Sequence, residues 1–454
     1  MMSAKRPRIG AGLATLLLAS CLSGAAFAAA PTGNPIADAF LAGLEARGFK
    51  DVTVESVTGD SDTAELKGIR AVEDRPAPPP AEAATPDEAK PDAAAPDEAK
   101  PDEATGDSGG DDGGSESADG GATGQAAPAE PATPPAPPPA PMVLTVNHLL
   151  IDNAGVDGGR IKAGVFNADG LSFVDDESKL TVGSLAASDI EIPSADSVKS
   201  GDDLNKAQAL YKQVTISDVL ATDKDGFAVP VKTITASTDD IVDGIPHSGA
   251  FAASGIVIDV NQVADQDFKK ELLALGYTTL NLSVSAKGAW HPDKSSATID
   301  QLEVNADGIG SLTLTSEIGG LSKEAVAALS DPAQSDKSDA VIQGLTLEKM
   351  TITFKNQTLV QRVLEAQAKD AGVSADVYAS QLAAAMPMLL MPLKNPEFQN
   401  TTAAAISTFL KDPKTLTVTA SPEQGLSVME IFGAAMFGPE HLPQMLKASV
   451  AANR

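Results

Sequence analysis

Apolar and polar residues alternate along much of the chain in one recurring pattern, which predicts β-strands. Two apolar residues one position apart are followed by a second such pair, with two positions between the pairs instead of one. Alternation of this kind puts apolar side chains on one face of a strand, and the extra position shifts its phase once. We call this the slipped strand pattern. It occurs in residues 64–71, 144–151, 180–187, 229–236, 297–304 and 345–354.

The phase shift has two structural interpretations. A β-bulge would return both apolar pairs to one face and add twist. Without a bulge, the strand would change faces midway, as at the corner of a folded sheet. The bulge is favoured because most intervening residues are polar and burial of one face is the commoner antiparallel arrangement. On this basis Met350, Ile352 and Phe354 are expected to face the same core as Leu302 and Val304.

Helical periodicity separates some of these strands and dominates after the last of them. Pro35 suits a first helical turn and Gly48 suits a stop, so a helix is expected between Asn34 and Phe49. The sequence therefore predicts an α+β fold, mainly an antiparallel β meander with bulged strands and a helical C-terminal region. Further helices are expected over residues 202–211, 262–275, 322–329, 358–371, 374–387 and 395–411.

A long acidic segment, residues 73–141, interrupts the pattern. It holds 16 acidic and 3 basic residues and has no aromatic residue. Such a composition buries too little apolar surface to offset the entropy of ordering, so the segment is expected to be disordered. The roughly 40 ordered residues before it are too few to hold a core alone. We therefore expect them to pack with the later residues, which makes the acidic segment an insertion within one domain.

The N-terminus is typical of a bacterial secretory signal. Cationic residues precede a short apolar run from Ile9 to Ala19. Cleavage after Ala28 would follow an A-x-A-like site, whereas Cys21, the only cysteine, closes a lipobox-like sequence and would become an acylated first residue. Both interpretations place the protein in the periplasm, and the second adds a lipid anchor. No later apolar run reaches the roughly 20 residues that span a bilayer.

These observations divide the chain into five parts. They are a signal peptide in residues 1–28 (1–20 for a lipoprotein), a helix and strand pair in 29–72, the disordered loop in 73–141, a β-rich main domain in 142–357, and a helical region with closing strands in 358–454.

Charge and motifs exclude several functions. A formal charge of −29 argues against binding nucleic acid. Gly106–Gly110 spells the nucleophile motif of trypsin-like proteases, but it lies in the acidic segment and no histidine precedes it. Residues 221–226 resemble the start of a calcium loop without its final glutamate, which favours a turn. The four histidines share no metal-ligand spacing. We therefore assign no catalytic residue, metal ligand or cofactor.

The most distinctive apolar stretch is residues 382–393. It is apolar almost all round, so it is expected either to be core between sheet and helices or to form a surface for an apolar ligand or a partner. Its methionines would suit an adaptable site. The candidate surface consists of Leu382, Met386, Met388, Leu389, Leu390, Met391 and Leu393.

The repeated slipped strands behind a secretory signal resemble proteobacterial envelope proteins of the AsmA type. The closing residues 445–453 are similar to the end of uncharacterised proteobacterial proteins with a helix-then-strand plan. The AsmA resemblance implies a curved β-groove in the cell envelope and a link to lipid homeostasis. The chain departs from that family in lacking a membrane anchor helix and in carrying the acidic segment.

We expect an exported, non-enzymatic envelope protein that binds a lipid or an envelope protein. One alternative is a structural scaffold that uses the acidic segment as a spacer. A second alternative is an unrecognised hydrolase.

Overall fold

The computed structural model describes residues 31–73, 141–200, 209–242, 245–330 and 335–454. The predictions for the signal peptide, for Cys21, for the Gly106–Gly110 motif and for disorder in the acidic segment concern residues outside these ranges.

The described residues form one sixteen-stranded sheet in which all pairings are antiparallel. From β3 onward, each strand pairs with the next one in the chain as far as β14, and β16 then adds to β14. The strands are β1 Phe49–Thr53, β2 Ser56–Gly59, β3 Ala64–Glu73, β4 Met142–Asp157, β5 Arg160–Val174, β6 Ser178–Pro193, β7 Gln213–Asp223, β8 Ala228–Val242, β9 Ile245–Asp259, β10 Thr279–His291, β11 Ser296–Ala306, β12 Gly310–Gly319, β13 Thr346–Asn356, β14 Thr415–Ala420, β15 Leu426–Ser427 and β16 Ser449–Ala452.

Helices begin where the sequence supplies capping groups. The Asn34 side chain accepts hydrogen bonds from the Ile36 and Ala37 amides and so caps the first helix. Ser374 and Asn395 cap later helices in the same way. The helices are α1 Pro35–Ala46, α2 Ala195–Ser200, α3 Gln266–Ala274, α4 Lys323–Ser330, α5 Ser335–Gly344, α6 Leu359–Asp370, α7 Ala375–Leu389, α8 Pro396–Lys411, α9 Val428–Phe437 and α10 Leu442–Met445.

The predicted sheet with helices in the C-terminal region is confirmed, and one helix prediction is corrected. The helix expected over 202–211 is wrong for its last residues, because Leu210 forms a β-bridge with Glu191. Helix α5 was not expected at all. Among the described residues, the longest helices are too short or too polar to cross a bilayer.

The N-terminal residues belong to the same sheet as the rest of the chain. Strand β3 pairs with β4 along its length, from Ala64 opposite Ile151 to Glu73 opposite Met142. The acidic segment therefore connects two neighbouring antiparallel strands. The sheet also continues past residue 357, since β14 and β16 extend it at the other side. The boundary expected at residue 357, between a β-rich domain and a helical region, therefore does not divide the sheet.

In strands β3 to β9, the phase shift of each strand lies opposite the phase shift of its neighbour. The residues that face one another across the strands are apolar on both sides of the shift. Examples are Ile69, Val146 and Leu171 on one side and Leu66 and Leu149 on the other. These five side chains are all buried, so one face carries the apolar residues on both sides of the shift. Strands β5, β7 and β9 carry the same pattern, which the sequence analysis did not single out.

Residues with positive φ produce the matched phase shift. At the shift, every second strand has a residue in the left-handed region, which returns the next side chain to the same face. Three of these residues are glycines, for which that region is unstrained. The fourth is aspartate, a type that tolerates it. They are Gly68 (φ 64°), Gly170 (62°), Asp218 (54°) and Gly255 (66°).

In β11 and β13 the phase shift is a one-sided β-bulge. Asp300 is the extra residue of β11, because Gln301 pairs with Lys287 and Ile299 with Gly288. Glu348 is the extra residue of β13, between Lys349 opposite Glu317 and Leu347 opposite Ile318. The bulge interpretation is therefore confirmed for these two strands.

The expectation for the face of β13 is confirmed, and the expectation of a core beside it is wrong. Register places Leu302 opposite Leu314 and Leu314 opposite Ile352, so these residues share one face. However, Leu302 is 38% exposed and Val304 is 43% exposed. The face is apolar here without being covered.

A matched pair of glycines tests the bulge of β11. A Cβ on Gly288 would lie 2.6 Å from the Thr298 carbonyl oxygen, whereas one on Gly155 would meet no atom within 4 Å. We expect Gly288→Ala to lower the free energy of unfolding by about 1–3 kcal/mol through overpacking. Gly155→Ala should leave it unchanged or raise it by about 0.5 kcal/mol. Urea unfolding followed by circular dichroism measures both, and equal effects would contradict the bulge geometry.

Candidate ligand-binding cavity

One row of apolar residues crosses the whole sheet from β3 to β16. Each member faces the next across a strand pair, so the row forms an unbroken apolar band on one face. We call it the apolar row. It consists of Ala64, Ile151, Phe166, Ala187, Val214, Ala236, Phe251, Ala286, Leu302, Leu314, Ile352, Val418 and Val450.

Helices cover the two ends of this face. At the first end, α1 packs on it, and Phe40 contacts Phe166 with ring centroids 6.0 Å apart. At the other end, Phe409 of α8 meets Phe354 with centroids 6.2 Å apart. Between the helices the face is exposed, most clearly at Leu312, which is 48% exposed. The face is therefore an apolar surface with two covered ends and an uncovered middle.

A cavity of about 320 Å³ lies beside α1. Phe40 and Leu44 of α1 form part of its wall, and strands β4 to β9 supply most of the rest. It includes five members of the apolar row, so it belongs to the same face. Those members are Phe166, Ala187, Val214, Ala236 and Phe251.

Among the described residues of the wall, two side chains carry a polar group, Arg47 and Tyr211. Arg47 follows α1, and its Nη1 donates to the Gly43 carbonyl at 2.9 Å while Nη2 donates to the Pro193 carbonyl at 3.4 Å. Burial of Tyr211 raises the pKa of its phenol. An otherwise apolar wall thus carries one cation and one hydroxyl.

Arg47 is a cation that has no carboxylate partner among the residues that the structure describes. Among the described residues, its polar contacts are the two carbonyl oxygens. Burial lowers the pKa of Arg47, and the charge of Arg160 lowers it further. Arg160 itself pairs with Glu191, Nε to Oε2 at 3.2 Å. Arg160 therefore has a carboxylate partner, whereas the acceptors of Arg47 in the described residues are carbonyl oxygens.

The stretch of residues 382–393 lies at the surface. Met388, Leu389 and Met391 are 65%, 56% and 60% exposed, and they occupy the end of α7 and the turn after it. The remaining four candidate residues are half-buried, so the stretch is not plain core. They are Leu382, Met386, Leu390 and Leu393.

Helix α9 adds a second exposed apolar segment next to this one. Phe432, Met436 and Phe437 are 59%, 61% and 88% exposed. The two segments are joined by an ion pair between Lys394 and Glu440, at 3.6 Å. We call the exposed residues of both segments the apolar tip. It consists of Met388, Leu389, Met391, Val428, Met429, Phe432, Met436 and Phe437.

The other residues that the sequence singled out have ordinary surroundings. The Asp223 side chain accepts the Asp225 and Phe227 amides, which is the geometry of a turn. His148 lies between Glu65 and Asp169, at 3.1 and 3.4 Å. Within the described ranges, no three histidine, aspartate or glutamate side chains converge as a metal site would need.

A family model described only as "Uncharacterized protein" matches residues 303–453. The match begins in β11 and covers the C-terminal helices and the last strands. It includes the apolar tip and none of the cavity wall. No curated protein matches the chain.

No pattern in the sequence pointed directly to the cavity. Its wall is built from strands that also supply the core, and periodicity does not distinguish a filled core from a hollow one. Arg47 occupies the end of a helix, where a cation is favourable in any protein. The exposure of α9 was also not predictable, because Glu430 is the one charged residue in an otherwise apolar helix.

A pair of phenylalanines tests the exposure of the apolar tip. Phe437 is 88% exposed and Phe409 is 6% exposed. We expect Phe437→Ala to change the free energy of unfolding by less than about 0.5 kcal/mol. Phe409→Ala should lower it by about 3–5 kcal/mol. Chemical unfolding measures both values, and a large loss in the Phe437 variant would mean that this side chain is buried in solution.

Proposed function

We propose that the protein is an exported, non-enzymatic lipid-binding protein of the bacterial envelope. The observation that carries the proposal is the cavity beside α1 together with the apolar row on which it lies. The cavity volume is at the lower end of the range for small-ligand sites. A long apolar chain fits this shape, because the uncovered middle of the face continues from the cavity.

The energetics of the uncovered middle support an apolar ligand. Contiguous apolar surface is rare on soluble monomers and usually marks an interaction site. Leu302, Val304 and Leu312 are each more than a third exposed and stand on neighbouring strands. An alkyl chain laid along them would remove this surface from water, at about 25 cal/mol for each Å² buried.

A catalytic role is not part of the proposal. Hydrolysis needs a nucleophile, a base and a group that stabilises the developing charge. The polar side chains on the cavity wall are an arginine and a tyrosine, which form no nucleophile–base pair. These groups suit binding.

The proposal is tested by filling the cavity. Ala236 lines the cavity, while Ala252 of the adjacent strand pairs with Thr235 and lies on the opposite face. We expect the full chain to take up the neutral fluorescent probe N-phenyl-1-naphthylamine with increased emission. Ala236→Phe should reduce this uptake about tenfold or more, since a bulky side chain occupies part of the volume, whereas Ala252→Phe should not change it.

Thermal unfolding of both variants accompanies the titration, to show that each is folded. Equal uptake by wild type and the Ala236 variant would contradict binding in the cavity. An equal loss in both variants would contradict it as well, because the loss would not depend on the face.

A second candidate function is docking of an envelope protein on the apolar tip. Methionine and phenylalanine are enriched at the centres of protein interfaces. Glu430 and Glu440 adjoin the tip, and the formal charge of −29 opposes attraction to an anionic bilayer. These charges favour a protein over a membrane surface as the occupant.

Photo-crosslinking tests the docking surface. We expect a photoreactive phenylalanine at position 437 to give one discrete protein adduct in intact cells, because this side chain is 88% exposed within the tip. The same group at Asn147, an exposed polar position on β4, serves as the control. Labelling of lipid instead of protein, or identical adducts at both positions, would contradict docking of a protein partner.

A further inference from the structure

Arg47 gives the cavity a chemical preference. Arg47 forms part of an apolar wall, and the two hydrogen-bond acceptors of its guanidinium in the described residues are neutral carbonyl oxygens. A charged group that is partly removed from water is unfavourable unless it is paired. The neighbouring Arg160 has such a partner in Glu191, at 3.2 Å. The contrast marks Arg47 as a cation for which the described residues supply no counter-charge.

The geometry of a guanidinium determines which groups of a ligand can pair with it. Its planar fork matches two oxygens of a carboxylate or a phosphate, and such charge-assisted pairs are about twice as strong as neutral hydrogen bonds. Tyr211 lines the same cavity, and a phenol can donate a hydrogen bond. Nearby walls are apolar, so the rest of the ligand must be hydrocarbon.

We infer that the cavity binds an amphiphile whose single alkyl chain lies along the apolar row and whose anionic oxygen headgroup pairs with Arg47. The inference rests on the proposed function, since it assumes that the cavity takes an apolar ligand. It adds the class of headgroup and the residue that recognises it. A fatty acid and a single-chain phosphate ester share this chemistry.

Binding competition tests the inference on the full chain. Decanoate, decyl phosphate and 1-decanol have the same alkyl chain, and each is titrated against bound N-phenyl-1-naphthylamine at pH 7. We expect the anionic ligands to bind about tenfold or more tightly than the alcohol, as charged hydrogen bonds require. Comparison of decanoate with decyl phosphate distinguishes the two sources of the anionic group.

Substitutions at Arg47 assign the preference to that residue. Arg47→Met should remove the advantage of the anions over 1-decanol, since methionine keeps an apolar stem but carries no charge. Arg47→Lys should keep part of the preference because it keeps the charge. Arg70→Met removes an exposed cation from β3 and should change nothing, which controls for the overall field.

Two results would overturn the inference. One is equal affinity of the wild-type protein for the alcohol and the anions, which is decisive even if the Arg47 variants do not fold. The other is an anion preference that persists in Arg47→Met. Failure of the neutral probe and of all three ligands to bind would instead overturn the proposed function itself.

Discussion

The fold depends on keeping apolar side chains on one face of strands whose sequence pattern shifts phase. A strand alternates faces at every residue, so an extra position would expose half of each strand's apolar residues. Left-handed residues such as Gly170 and Asp218 absorb the extra position, and they occur in register on alternate strands. Because a phase shift on one strand faces a shift on the next, the hydrogen-bonded ladder continues on both sides. Strands β11 and β13 pair with strands that have no phase shift, and there a one-sided β-bulge keeps the apolar residues on one face.

Helices cover the apolar face of the sheet unequally, and this produces the cavity and the uncovered apolar surface. The burial of Ile36 and Leu41 attaches α1 firmly to the first strands. Its neighbouring side chains do not fill the space above β4 to β9, and a cavity remains. Toward β11 and β12 the same face is uncovered. A protein that only needed stability would fill the first region and cover the second, since each exposed apolar surface weakens the driving force for folding. The proposed binding of an apolar ligand accounts for both features together.

The sequence predicted the elements better than their coverage. Alternation identified the strands, and capping residues such as Asn395 identified most helices. The face shared by Leu302 and Ile352 also followed from alternation, because it is a local property of each strand. Whether a helix covers that face depends on how α1 and α8 pack on strands that are distant in the sequence. Such packing produces no pattern within the strand itself. The lack of a carboxylate beside Arg47 in the described part of the chain is likewise a property of the assembled wall. Helix α5 was missed because its residues are largely polar.

The connection between β3 and β4 has a consequence for the order of folding. From β4 to β12 the meander pairs each strand with the next one in the chain, and such local contacts form quickly. Glu65 and His148 meet across the β3–β4 pair although 83 residues separate them. The entropy of closing so long a loop rises only slowly with its length, by about 0.6 kcal/mol per doubling, so native stability tolerates the insertion. The folding rate is still lowered, because contacts between residues far apart in the chain form slowly. Strands β4 onward can therefore assemble before α1 and β3 arrive, and the apolar wall of the cavity stands open until the N-terminal piece closes it.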